Sequence, residues 1–90
     1  MDGGKVLTQK DKLIKRLKAR PKNFTFEETE ALLYYFGYRR SEKGKTSGSR
    51  VMFIHEIYKP IMMHKPHPRK ELLAAQVNQL IKQLEQEGLL

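Results

Sequence analysis

Gly48-Ser49-Arg50-Val51-Met52-Phe53-Ile54-His55-Glu56 is the stretch on which the architecture depends. Its middle is dense in Val, Phe and Ile, so Ser49 to Glu56 reads as a strand. With Val51 and Phe53 turned toward a core, period-two alternation sends Arg50, Met52 and Ile54 to the other face. His55 then returns inward near the strand's end. Downstream, Tyr58-Lys59-Pro60 marks a turn and Ile61 to Lys65 forms a further strand, which Pro66-His67-Pro68 stops. In that strand Ile61 and Met63 point inward, which places Met62 and His64 outward. Upstream, Tyr38-Arg39-Arg40-Ser41 is a short strand candidate, joined to the central one by the polar, glycine-bearing segment 42–48.

Helical periodicity flanks this region on both sides. Lys10 to Lys18 carries Leu13, Ile14 and Leu17 on one side, and Arg20-Pro21 ends it because a residue before proline disfavours helix. The first eight or so residues read as frayed. Thr25 followed by Glu28 is a capping-box pattern, although Thr29 makes a poor hydrophobic staple for Phe24. Phe26, Leu32, Leu33 and Phe36 continue that helix, and Gly37 closes it in a left-handed conformation. From Glu71 the period returns, with Leu73, Val77, Leu80, Ile81 and Leu84 as an apolar stripe. The order is helix–helix–strand–strand–strand–helix: an α+β fold with a three-stranded antiparallel sheet and helices on one face.

The chain has 90 residues, with 18 Lys and Arg against 10 Asp and Glu, a formal charge of +8. That length is one domain over residues 1–90 and excludes a Rossmann domain or an α/β barrel. Cysteine is absent, which removes disulfides, thiol nucleophiles and Cys-ligated zinc. No apolar run approaches a membrane span, and the N-terminus lacks the apolar segment of a secretory signal, so a cytoplasmic protein is expected. The charge is uneven. Residues 1–22 hold eight bases and two acids, and residues 38–70 hold nine bases and two acids, while 23–37 and 71–90 are mildly acidic. The second basic segment coincides with the strands and points to a polyanion, nucleic acid first. A helix-turn-helix over residues 10–36 is disfavoured, because its second helix carries Glu27, Glu28 and Glu30 and no base.

Gly37-Tyr38, then Gly48-Ser49-Arg50-Val51-Met52-Phe53, then His64-Lys65-Pro66-His67-Pro68, then Glu71-Leu72 opening a helix, follow one another in an order that resembles the HicA toxins, as does Phe24-Thr25-Phe26-Glu27-Glu28 after a basic helix. The resemblance covers about residues 10–87. It implies a double-stranded-RNA-binding-domain-like fold, RNA endonuclease activity and neutralisation by a HicB-like antitoxin. One position departs from the pattern. The family has Gly-Ser-His at the start of the second strand, with the histidine as catalytic base, whereas this chain has Gly48-Ser49-Arg50.

Metal-independent RNA cleavage needs a base for the 2′-hydroxyl, a cation for the developing phosphorane charge and an acid for the leaving oxygen, and no cofactor. Arginine stays protonated and cannot be the base, but Arg50 can clamp a phosphate. Histidine suits acid–base work, and His64 is the preferred candidate because alternation places it with Arg50 on the open face. His55 reads as structural and His67 as part of the turn into the last helix. His64 and His67 form an H-x-x-H pair without a further ligand set, so no metal site is expected. Arg39, Arg40, Lys43, Lys45, Ser49, Arg50, Lys59, Lys65 and Arg69 are the candidate RNA-binding residues. Tyr38 is expected in the core, and Tyr34-Tyr35 in the core or on a partner surface. Met52, Ile54 and Met62 form an apolar strip on the open face, a feature of partner sites. Two readings follow: a toxin ribonuclease that cleaves mRNA, or a non-catalytic RNA-binding module on the same fold, Arg50 marking the lost base.

Overall fold

The computed structural model describes residues 7–41 and 50–90. The elements run α1 (Gln9–Lys18), α2 (Phe26–Tyr35), β1 (Arg39–Arg40), β2 (Arg50–Ile54), β3 (Ile61–His64) and α3 (Ala74–Gln86). The sheet is antiparallel with order β1-β2-β3, which leaves β1 and β3 as edges. The expected α+β order is present with shorter strands.

Both early helices begin on capping boxes. Thr25 Oγ1 accepts from the Glu28 amide at 3.0 Å, and the Thr25 amide donates to Glu28 Oε1 at 2.9 Å. Thr8 and Asp11 make the same exchange at the start of α1. Helix α1 stops at Lys18 with Ala19 as C-cap, and Arg20 takes φ +52°. Proline after Arg20 disfavours the helical region, and a single left-handed residue ends the helix. Gly37 has φ +100°, as its place after α2 requires.

The core is one cluster, with Leu13 and Leu17 from α1, Leu32 and Leu33 from α2, Phe53 from β2, Ile61 and Met63 from β3, and Val77, Leu80, Ile81 and Leu84 from α3. The Phe26 and Phe53 rings lie 6.1 Å apart, which seats α2 on the centre of the sheet. Tyr38 is fully buried and its hydroxyl donates to the Lys59 carbonyl at 3.0 Å. Burial, with the charges of Glu87 and Tyr58 behind it, raises the Tyr38 phenol above its usual pKa.

The last helix starts later than its sequence pattern implies. Residues 70–72 run extended beside 24–26: Phe26 N–H donates to the Lys70 carbonyl at 3.0 Å and Leu72 N–H to the Phe24 carbonyl at 2.8 Å. Strand-like alternation in this bridge buries Leu72 and leaves Leu73, the N-cap of α3, 51% exposed. Leu73 thus does not belong to the buried stripe, and Leu72 takes its place. Phe24 is buried in the same bridge despite the poor staple.

Candidate nucleic-acid interface

Register brings the two central candidates together. Arg50 and His64 are direct partners across β2 and β3, followed by Val51 with Met63, Met52 with Met62 and Phe53 with Ile61. Phe53, Ile61 and Met63 are buried, whereas Arg50, Ile54, Met62 and His64 are exposed, so Arg50 and His64 share the open face. Two bonds set the pairing type. Ser41 N–H donates to the Met52 carbonyl at 2.8 Å, toward β1, and the His64 carbonyl accepts from Gln76 Nε2 at 2.9 Å, away from β2. Met52–Met62 and Arg50–His64 are therefore non-hydrogen-bonded pairs, whose Cα atoms sit closer (about 4.5 Å) and whose side chains rise together. A phosphate over this rung meets one guanidinium and one imidazole.

Gln76 holds this rung from behind. Its Oε1 accepts from Leu73 N–H at 2.9 Å, closing the start of α3, while its Nε2 holds the His64 carbonyl. At the other end of β3, Gln83 Nε2 donates to the Pro60 carbonyl at 2.9 Å. Two helix amides thus cover the free edge of β3. Sequence reasoning passed over these glutamines, although Gln76, Gln79 and Gln83 follow one another at helical spacing beside the apolar stripe.

The other candidates do not all join the rung. Arg40 is the partner of buried Phe53 and therefore faces the helices. Its Nε lies 3.3 Å from Glu30 Oε2, and its guanidinium carbon stands 5.7 Å from the Phe26 ring centroid. Lys65 also turns to the helix side, with Nζ 5.6 Å from the same ring. Arg39 sits at the β1 edge with its guanidinium 5.9 Å from the Tyr34 ring. Lys59 lies in the β2–β3 turn, at the opposite end of β3 from His64. Arg69 leads into α3, where its Nε donates to the Glu71 carbonyl at 3.1 Å. Lys43, Lys45 and Ser49 lie outside the described residues.

His55 is structural. Its Nδ1 accepts from the Ile57 and Tyr58 amides at 2.9 and 3.4 Å, and its Nε2 meets the Phe36 carbonyl at 3.0 Å. A proton on Nε2 satisfies all three contacts. His67 is exposed. Among the described residues, no group of three or more His, Asp or Glu side chains comes together as a metal site would require. The apolar strip is present, with Met52 half-buried and Ile54 and Met62 exposed by 43% and 51%. Tyr34 and Tyr35 are exposed on α2, outside the core.

These features define a small α+β domain whose three-stranded sheet is covered by helices on one side and carries a cation–imidazole rung on the other. Residues 26–86 match the family model of the HicA toxin of bacterial toxin–antitoxin systems. That match spans all three strands, α2 and α3, and the chain belongs to this family. No curated protein and no solved structure matches it. No helix among the described residues is long and apolar enough to cross a membrane.

Proposed function

We propose that this chain is a toxin ribonuclease that cleaves mRNA at the Arg50–His64 rung and is neutralised by a HicB-like antitoxin. The observation that carries the reading is the direct pairing of Arg50 with His64 on the exposed sheet face. The imidazole of His64 takes the proton of a 2′-hydroxyl. The O2′–P bond forms and the P–O5′ bond breaks, leaving a 2′,3′-cyclic phosphate and a 5′-hydroxyl that receives a proton in return. Arg50 meets the charge that builds on the phosphate oxygens. The strip of Met52, Ile54 and Met62 beside the rung supports an antitoxin that seats on the sheet and covers both.

The test is incubation of the purified chain with a long mRNA, followed by mapping of the new ends. Cleavage with 5′-hydroxyl ends, reduced at least ~100-fold in His64→Ala, is expected. Full activity of His64→Ala removes this residue from the mechanism. Arg50 at the position where the family keeps its base favours a second reading, a non-catalytic RNA-binding module. Salt-sensitive RNA binding with no cleavage by the native chain would select that reading.

A further inference from the structure

A cluster of cationic residues outside the rung surrounds a groove between the α1–α2 connection and the start of α3. Its volume is about 380 Å³. Arg20, Lys22 and Arg69 stand around it, Leu72, Leu73 and Val77 form its apolar wall, and no carboxylate lines it. Arg20 Nε is held by Asn78 Oδ1 at 2.9 Å, a neutral partner that orients the guanidinium without cancelling its charge. Arg69 is anchored through Nε on the Glu71 carbonyl, with the Glu71 carboxylate 4.0 Å away and both side chains largely solvated, so little of its field is quenched. Arg20 and Lys22 precede the segment that matches the family model.

We infer that this groove is a second RNA subsite, which takes one nucleotide of the strand that crosses the Arg50–His64 rung. The inference rests on the function proposed above. Three cations beside an apolar wall suit a nucleotide: phosphate against the guanidinium and ammonium groups, base laid on Leu73, the exposed member of that wall. The volume is at the lower end of ligand-sized pockets (~300–1,000 Å³), room for one nucleotide rather than a run of them. The location fits as well. Gln76 ties the first turn of α3 to the His64 carbonyl, while Leu73 and Val77 of the same region line the groove. The rung is on the open sheet face and the groove in the helix layer behind it, so the strand joins them by passing round the β3 edge at the start of α3. An acidic protein segment meets the same charges, but nothing about the rung requires it to lie there.

Fluorescence anisotropy with two labelled oligoribonucleotides tests this, one long enough to reach both sites and one that covers the rung alone. In the Arg20→Gln/Lys22→Gln double variant, the long oligonucleotide is expected to bind about tenfold more weakly. Its log–log salt slope should fall by about 0.7 for one lost phosphate contact, with short-oligonucleotide binding unchanged. Arg50→Gln should weaken both. Crosslinking of the native chain to a long oligonucleotide with terminal 4-thiouridine should map to residues 69–78. Unchanged long-oligonucleotide binding, equal losses for both lengths, or crosslinks confined to β2 and β3 would each overturn the subsite. So would a double variant that keeps RNA binding and loses a co-expressed acidic antitoxin. If Arg50→Gln has no effect while the double variant does, the rung falls and the groove stands. If the native chain binds neither oligonucleotide, both fall.

Discussion

Replacing Gln76 by Ala tests how the helix layer holds the rung. The native amide makes two bonds of 2.9 Å, accepting from Leu73 N–H and donating to the His64 carbonyl. Each bond contributes about 0.5–1.5 kcal/mol net, and exposure of the site lets water replace part of it. Alanine returns a few tenths of a kcal/mol through higher helix propensity. The net loss comes to about 1 kcal/mol, or a fall in Tm of about 4–8 °C for a domain of this size. Gln76→Glu separates the two bonds. It keeps the acceptor for Leu73 N–H at the helix start, where negative charge is favoured, but cannot donate to His64. Thermal melts should therefore place Gln76→Glu above Gln76→Ala. Amide exchange should quicken in both at Met63, whose N–H belongs to the hydrogen-bonded Val51–Met63 pair next to the rung. RNA cleavage should fall in both variants, with wild-type affinity for a rung-length oligonucleotide. A Gln76→Ala protein that melts within ~1 °C of native and exchanges Met63 at the native rate refutes the tether.

Gly37→Ala should destabilise by more than the ~1 kcal/mol of a left-handed residue alone, because the added Cβ would stand 2.8 Å from His55 Nε2 and break its bond to Phe36; equilibrium urea unfolding reads the loss. Thr25→Ala removes the cap of α2 and should cost about 1–2 kcal/mol in the same assay, since the Glu28 carboxylate loses its partner hydroxyl as well. Glu28 supplies a pH dependence. Partial burial opposes its charge, but Arg16, with bonds of 2.9 and 3.0 Å, and the Thr25 amide and hydroxyl outweigh it and hold the carboxyl below its ordinary value of 4.5. A lowered folded-state pKa stabilises fully above the unfolded value and is lost as pH falls through the folded one. Stability should thus decline below pH 4.5 in the native chain and decline less in Glu28→Gln, measured by Tm across an acid series.

Sheet facing was readable because Val51, Phe53, Ile61 and Met63 alternate cleanly with Arg50, Met52, Met62 and His64. Strand neighbours followed from antiparallel order, but the rung itself did not. A slip of one residue would have moved every outward side chain inward, and only paired coordinates select among registers that differ by two. Arg40 and Lys65 lie on the helix side instead of beside the rung, each long enough to bring its cationic head over the Phe26 ring, at 5.7 and 5.6 Å. The start of α3 was misplaced because Leu72-Leu73 satisfies a helical stripe and an extended bridge equally well, and the bonds to Phe24 and from Phe26 decide it. Those are long-range contacts, invisible to local periodicity.

The departure at Arg50 looks different once the ladder is known. The family's histidine position and His64 are two ends of one rung, so a phosphate seated there meets an imidazole and a cation whichever strand supplies which. On the proposed reading, an exchange of Arg50 and His64 across the ladder would return the imidazole to the family's histidine position. The exchange makes a sharp demand on a double variant. His64→Arg alone leaves two guanidiniums and no proton acceptor, and cleavage should fall at least ~100-fold. Adding Arg50→His to it restores one imidazole and one cation on the same rung, and should recover most of that loss. Arg50→His alone leaves two imidazoles without a permanent cation. The combined effect is therefore strongly non-additive, as expected of groups acting as a unit across a non-hydrogen-bonded pair. A double variant as inactive as His64→Arg would show that the geometry of the two ends differs enough to matter, and that Arg50 is a change of mechanism rather than a change of address.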